Sequence, residues 1–116
     1  MSEYNSELKI NELKLEHEWM EQPSLFMKWA ERSATARYEL DEVERKFELT
    51  CASIEQEIRN NPEAFGLSKI TENALLSAKI STKEYNEGLT ELNKARYNAT
   101  VLSSAVKAFD QSIFSL

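Results

Sequence analysis

A chain of 116 residues with a formal net charge of −6 is long enough for one domain and too short for two sizeable ones. Two glycines and two prolines supply too few turn residues for an all-β or turn-rich α/β fold. The single cysteine, Cys51, excludes an internal disulfide and fits a reducing cytosol.

Apolar runs are only a few residues long, so no transmembrane span is expected. The start "MSEYNSELK" is acidic and polar, unlike a secretory signal or a transit peptide. Charge divides unevenly. Residues 1–60 hold 8 Lys+Arg against 14 Asp+Glu, whereas residues 61–116 hold 6 against 6, so the first half carries the whole net charge. Phosphate contacts need clustered Lys and Arg, which argues against duplex binding through bulk charge and leaves room for a local basic patch.

The first predicted element is a short amphipathic helix over residues 7–21, with Ile10, Leu13, His17 and Met20 on one stripe. His17, the only histidine, reads as part of that stripe. Pro23 then fits the first position of a new helix, where its missing N–H costs nothing. From there Phe26, Trp29, Ser33, Ala36, Leu40, Val43, Phe47, Cys51, Ile54 and Ile58 alternate in threes and fours. They form a heptad seam that drifts by one residue near Phe47. Cys51 on this seam reads as buried filler. The opposite face carries Asp41 with Arg45, Glu42 with Lys46 and Glu55 with Arg59, all at the favourable i,i+4 spacing of a solvated face. Asn60, Asn61 and Pro62 should end this helix, expected over residues 23–60 and roughly 55 Å long, because the residue before proline is pushed out of the α region.

Gly66 permits an unusual backbone angle in the connector. Thr71 can cap a short helix over residues 71–79 carrying Ala74, Leu75 and Ala78, with Glu72 in its first turn. Ser81 and Glu84 then have the spacing of a capping box, with Ile80 and Tyr85 placed for a hydrophobic staple. The last helix, over residues 82–116, is the most regular part of the chain. Tyr85, Leu92, Ala99, Val106 and Ile113 hold one heptad position, and Gly88, Ala95, Leu102, Phe109 and Leu116 the other. It ends in register at Leu116 with no C-cap, which reads as a helix cut short.

Two long helices joined by so short a connector must run antiparallel. The expected fold is all-α and single-domain: a long antiparallel, coiled-coil-like helical hairpin with a short N-terminal helix on one flank and a short helix in the connector. Such a layer buries one narrow stripe per helix and barely offsets the entropy of ordering the chain. Leu25, Tyr38, Leu49, Tyr97, Val101 and Phe114 also lie off the seam. Self-association or a helical partner is therefore expected.

Chemistry is sparse. Gly66 and Gly88 lie in no phosphate-cradling motif. A lone Cys and a lone His cannot make a cysteine-type zinc site, and no Glu-x-x-His pair of the di-iron kind occurs. The only histidine belongs to an apolar stripe away from any marked nucleophile. The reading is a non-enzyme with no catalytic residue, metal or cofactor.

Three segments, "QPSLFMKWAERSATARYELDEVE", "EIRNNPEAFGLSKITENALL" and "YNEGLTELNKARYNATVLSSAVKAFD", span about 70 of the 116 residues. In that order they resemble the UvsY-type recombination mediator proteins of tailed bacteriophages, including divergent members. The outer two are ordinary amphipathic helix. The middle one is more specific, with Asn-Pro-Glu, Phe-Gly-Leu and Lys-x-Thr-Glu at fixed offsets.

The resemblance implies a non-enzymatic accessory of homologous recombination in the cytoplasm of the infected bacterial host. Such proteins bind single-stranded DNA, help displace the single-strand-binding protein, assist loading of a RecA-like recombinase and act as ring-like homo-oligomers. No membrane is implied. Members usually continue past the point where this chain ends, with a further helical stretch that aids assembly. The family uses basic side chains on the long helices and near the turn. Here these are Arg59 and Lys69 flanking the turn, Lys79 and Lys83 entering the last helix, and Lys94, Arg96 and Tyr97 in "NKARYN". The last group pairs basic charge with an aromatic ring, as backbone attraction and base stacking require, although an ordinary solvated face has the same composition. Trp19 and Trp29 read as packing anchors. The alternative is a helical assembly or scaffolding module that binds no DNA and presents its acidic first half to a basic protein partner.

Overall fold

A computed structural model of the chain describes residues 23–114. The helix expected over residues 7–21, with His17 and Trp19, lies outside them. The described fold is an all-α hairpin in which two long antiparallel helices pack against each other. The elements are α1 (Pro23–Asn60), a 3-10 turn (Pro62–Phe65), α2 (Glu72–Ile80) and α3 (Lys83–Phe114).

Helix α1 stops where the sequence places the stop. The Asn61 N–H still bonds Glu57 O at 3.0 Å, but Asn61 itself leaves the α region, at φ −145° and ψ 63°, ahead of Pro62. Pro62 then opens the 3-10 turn, and Gly66 closes it in the left-handed region at φ 72°. Two bonds define this closure: Gly66 N–H to Glu63 O and Leu67 N–H to Pro62 O, both 3.0 Å. That pattern is a Schellman motif, which delivers the next residue, Leu67, onto apolar surface. Thr71 is extended, and its hydroxyl accepts from the Ala74 N–H at 3.1 Å to cap α2.

The start of α3 differs from the expected capping box. Ser81 remains in the αR region as the last residue of the α2 turn, and its hydroxyl donates back to Ser77 O at 2.8 Å. Thr82 caps instead, accepting from the Tyr85 N–H at 3.2 Å while donating to Lys79 O at 2.8 Å. Among the described residues no side chain accepts the Thr82 N–H, which bonds Lys79 O at 3.1 Å; the Asn86 side-chain amide donates instead to Thr82 O at 2.8 Å and Ile80 O at 3.0 Å. Ile80 is 45% exposed, and Tyr85 packs against the Phe47 ring, with centroids 5.4 Å apart.

The described chain packs in two stretches. One comprises residues 39–96. Its core is Ile54, Ile58 and Leu75, with Phe65, Leu67, Ala78 and Tyr85 packed around them; Ile58 is 0% exposed. Leu40 and Leu92 are also buried in this stretch. Gly88 marks a close approach, since a Cβ there would stand 2.9 Å from Phe47 Cδ1. The other stretch, residues 23–38 and 97–114 among those described, buries Trp29, Ala36, Ala99, Leu102, Ala105 and Phe109. The Arg32 guanidinium lies 4.8 Å from the Trp29 ring centroid. Ala105 was not on the expected seam; its burial widens the α3 stripe beyond a strict two-position heptad. Of the off-seam residues, Leu25, Tyr97 and Val101 are half-buried, whereas Tyr38 and Leu49 are exposed.

The position of the α3 cap is open to a direct check. Thr82→Ala should lower unfolding free energy by about 1 kcal/mol in urea denaturation, the usual value of an N-cap. Ser81→Ala should change it by less than about 0.5 kcal/mol. The reverse order would restore the box at Ser81.

Candidate nucleic-acid interface

Three of the six basic residues selected from the sequence, Arg59, Lys79 and Lys83, stand at helix ends, where the backbone has charge of its own. Arg59 occupies the last turn of α1, and Glu72 the first turn of α2. Each side chain therefore carries the sign that its helix terminus favours. They also meet: Arg59 Nη2 lies 3.8 Å from Glu72 Oε1, across the turn. Lys79, in the last turn of α2, is drawn further in. Its side chain is only 19% exposed, and Nζ is 3.5 Å from Glu55 Oε1 on α1. Lys83 is well exposed and pairs along α3 with Glu87 at 3.7 Å.

The charged face of α1 stays largely solvated, but Glu42 and Glu55 take partners other than those at the expected i,i+4 spacing. Glu55 pairs with Lys79 and Arg59 with Glu72, each through the connector end of the hairpin. Lys46 reaches Glu91 on α3 at 3.6 Å, while Glu42 takes Arg45 at 3.6 Å. Sequence spacing finds partners along one helix. It carries no information about carboxylates that the fold brings up from another.

Three other candidates remain available. Lys69, Lys94 and Arg96 are exposed, and none has a carboxylate partner within salt-bridge distance among the described residues. Lys69 sits in the loop between Gly66 and Thr71. Lys94 and Arg96 are two residues apart on α3, so they project about 200° apart around its axis. They do not form one patch. Tyr97 is half-buried and opens the other packed stretch, so its ring is partly committed.

Beside the connector, Phe65, Leu67, Ala74, Ala78 and Ser81 line a shallow open depression. Sequence reasoning missed it because its walls come from the 3-10 turn and from the flank of α2. On another side of α2, Leu76 and Ile80 stand exposed one turn apart. Among the described residues no three His, Cys, Asp or Glu side chains converge as a metal site would need, and no described helix is long and apolar enough to cross a membrane. Compared with protein-family models, curated proteins and solved structures, the chain matches none.

Cys51 lies half-buried close to the Lys79 and Glu55 pair. Burial raises its thiol above the ordinary 9.0; the Lys79 ammonium pulls it down and the Glu55 carboxylate pushes it up. Thiolate is the reactive form, so Cys51 should alkylate more slowly at neutral pH than a cysteine in an unstructured peptide. Glu55→Gln, which removes one of the two upward influences, should speed the reaction in the same assay. Equal rates for folded protein and peptide would contradict this environment.

Proposed function

We propose that this chain is a homologous-recombination mediator of the UvsY type, acting without enzymatic chemistry in the cytoplasm of a phage-infected bacterium. In this reading it binds single-stranded DNA, engages the single-strand-binding protein and assists loading of a RecA-like recombinase. The observation that carries the proposal is the connector. Its Asn-Pro-Glu, Phe-Gly-Leu and Lys-x-Thr-Glu residues resemble those of the family, and a plain helix turn does not require all of them.

Several of these residues have structural duties. Pro62 opens the 3-10 turn, Gly66 takes the left-handed angle, Phe65 and Leu67 pack on the core, and Thr71 caps α2. Lys69 has none of these duties and points to contact outside the chain. With Lys94 and Arg96 it supplies the cations from which phosphate contacts would be drawn. Single-strand binding suits such scattered cations better than duplex binding does, because a flexible strand can track separated charges.

A second reading has its own support. Arg59, Lys79 and Lys83 are already partnered by carboxylates, and the chain is acidic overall. A helical protein-binding module that meets a basic partner accounts for both facts.

Anisotropy of a labelled single strand, measured against duplex at low and moderate salt, separates the two. The mediator reading predicts preferential single-strand binding that weakens steeply with salt. Lys94→Glu with Arg96→Glu should weaken it by about tenfold or more while leaving helicity intact. Absence of single-strand binding at low salt would leave the protein-binding module.

A further inference from the structure

The open depression beside the connector combines apolar walls with uncommitted hydrogen-bond acceptors. Its lining lies wholly within residues 65–84, in the stretch packed around Ile54, Ile58 and Leu75. Its volume is about 520 Å³, within the roughly 300–1,000 Å³ usual for small-molecule sites. Phe65 and Leu67 are half-buried: they pack on that cluster and also line the depression. The polar groups around it are Ser77, Ser81, Thr82 and Glu84. Thr82 is committed to the α3 cap, its hydroxyl accepting from the Tyr85 N–H and donating to Lys79 O. The Ser81 proton is committed as well, to Ser77 O, which leaves the oxygen able to accept. Glu84 takes no ion pair or side-chain hydrogen bond among the described residues. A visitor therefore meets chiefly acceptors beside a partly open aromatic ring.

We propose that this depression receives one unstacked base of a bound single strand, with Glu84 accepting a hydrogen bond from the base's exocyclic amine. The assignment rests on the mediator reading and locates part of its DNA contact. The Phe65 ring offers a face for stacking, which single-strand binding uses without regard to sequence. A wall weighted toward acceptors adds a preference. Cytosine N4 can donate to it, whereas thymine presents a carbonyl at the corresponding position.

Neighbouring cations decide between a base and a basic side chain as the occupant. Lys69 follows Leu67 by two residues and is exposed, with no carboxylate partner among the described residues. Lys83 stands in the chain between Thr82 and Glu84, both of which line the depression. A strand brings phosphates on either side of its base for these cations to meet, whereas an arginine from a partner protein would meet like charge. The Lys83 pair with Glu87, at 3.7 Å, is solvent-exposed, so a phosphate can share that cation.

Anisotropy with labelled oligo(dC) and oligo(dT) of equal length reads the preference, at a slightly alkaline pH that keeps cytosine neutral. The unaltered chain should bind oligo(dC) about fivefold or more tighter than oligo(dT). Glu84→Gln should erase most of that difference, because its amide can donate to thymine. Ser77→Phe, a change at an exposed position that fills the depression, should weaken oligo(dC) binding by about fivefold with the circular dichroism unchanged. A strand carrying 5-iododeoxycytidine should photo-cross-link to the peptide that holds Phe65. Equal affinity for the two strands, or a preference that survives both substitutions, overturns the base pocket while the mediator reading stands. Cross-links confined to other peptides do the same. Failure to bind either strand at low salt overturns both. Glu84-dependent capture of an arginine-containing peptide in place of the strand assigns the depression to a protein and overturns the base as its occupant.

Discussion

Reversal of the chain between Asn60 and Thr71 is the constraint on which the connector end of the hairpin depends. Two long helices with sparse seams need their register set somewhere, and here it is set at that end. Pro62 stops the first helix, the left-handed Gly66 redirects the backbone, and Leu67 is thereby delivered to the cluster of Ile54, Ile58 and Leu75. Ile58 is the centre of this arrangement, completely shielded within one turn of the helix end. Truncating such a side chain leaves a cavity that neighbours fill only in part, so the corner is sensitive to single methyl groups. From there Phe47, Tyr85 and the missing side chain of Gly88 bring α1 and α3 close in the adjoining turns.

Electrostatics follow from the same corner. Bringing α2 beside the end of α1 places Glu72 against Arg59 and Glu55 against Lys79. These pairs are partly solvated and add modestly to stability, but they change what the surface offers. Cations that a sequence shows as available are occupied, and Lys69, Lys94 and Arg96 are left to face outward. A nucleic acid would thus meet separated positive charges on an acidic molecule. An acidic chain of this kind gains little from long-range attraction, so contact geometry must supply what net charge does not.

Much of the architecture was legible because its signals are local. Pro23 and Pro62 bracket α1, Gly66 reports a positive φ, and Thr71 with Glu72 announces α2. The heptad positions predicted the seam because burial follows helical period. What failed was tertiary or finely balanced. Ser81 and Thr82 are adjacent hydroxyl residues, and the choice of cap turned on the backbone of the preceding helix end, which holds Ser81 at αR. Ion partners of Glu55 and Arg59 lie on α2, beyond the reach of spacing rules. Ala105 lay off the predicted heptad positions, and alanine fits either environment, so its identity gave no sign of its burial. The candidate site was less legible still. The sequence pointed to seven residues, and their burial and pairing could be read only once the connector had a shape.

The connector is an integral part of the folded corner. Native-state hydrogen exchange of the backbone amides across residues 54–92 tests it most directly. If the corner holds the hairpin, the Leu75 amide and those of its neighbours in α2 should exchange with the same opening free energy as Ile58 in α1 and Leu92 in α3, as one cooperative unit. If α2 exchanged freely while α1 and α3 stayed protected, the connector would be a passive link and the account would be wrong.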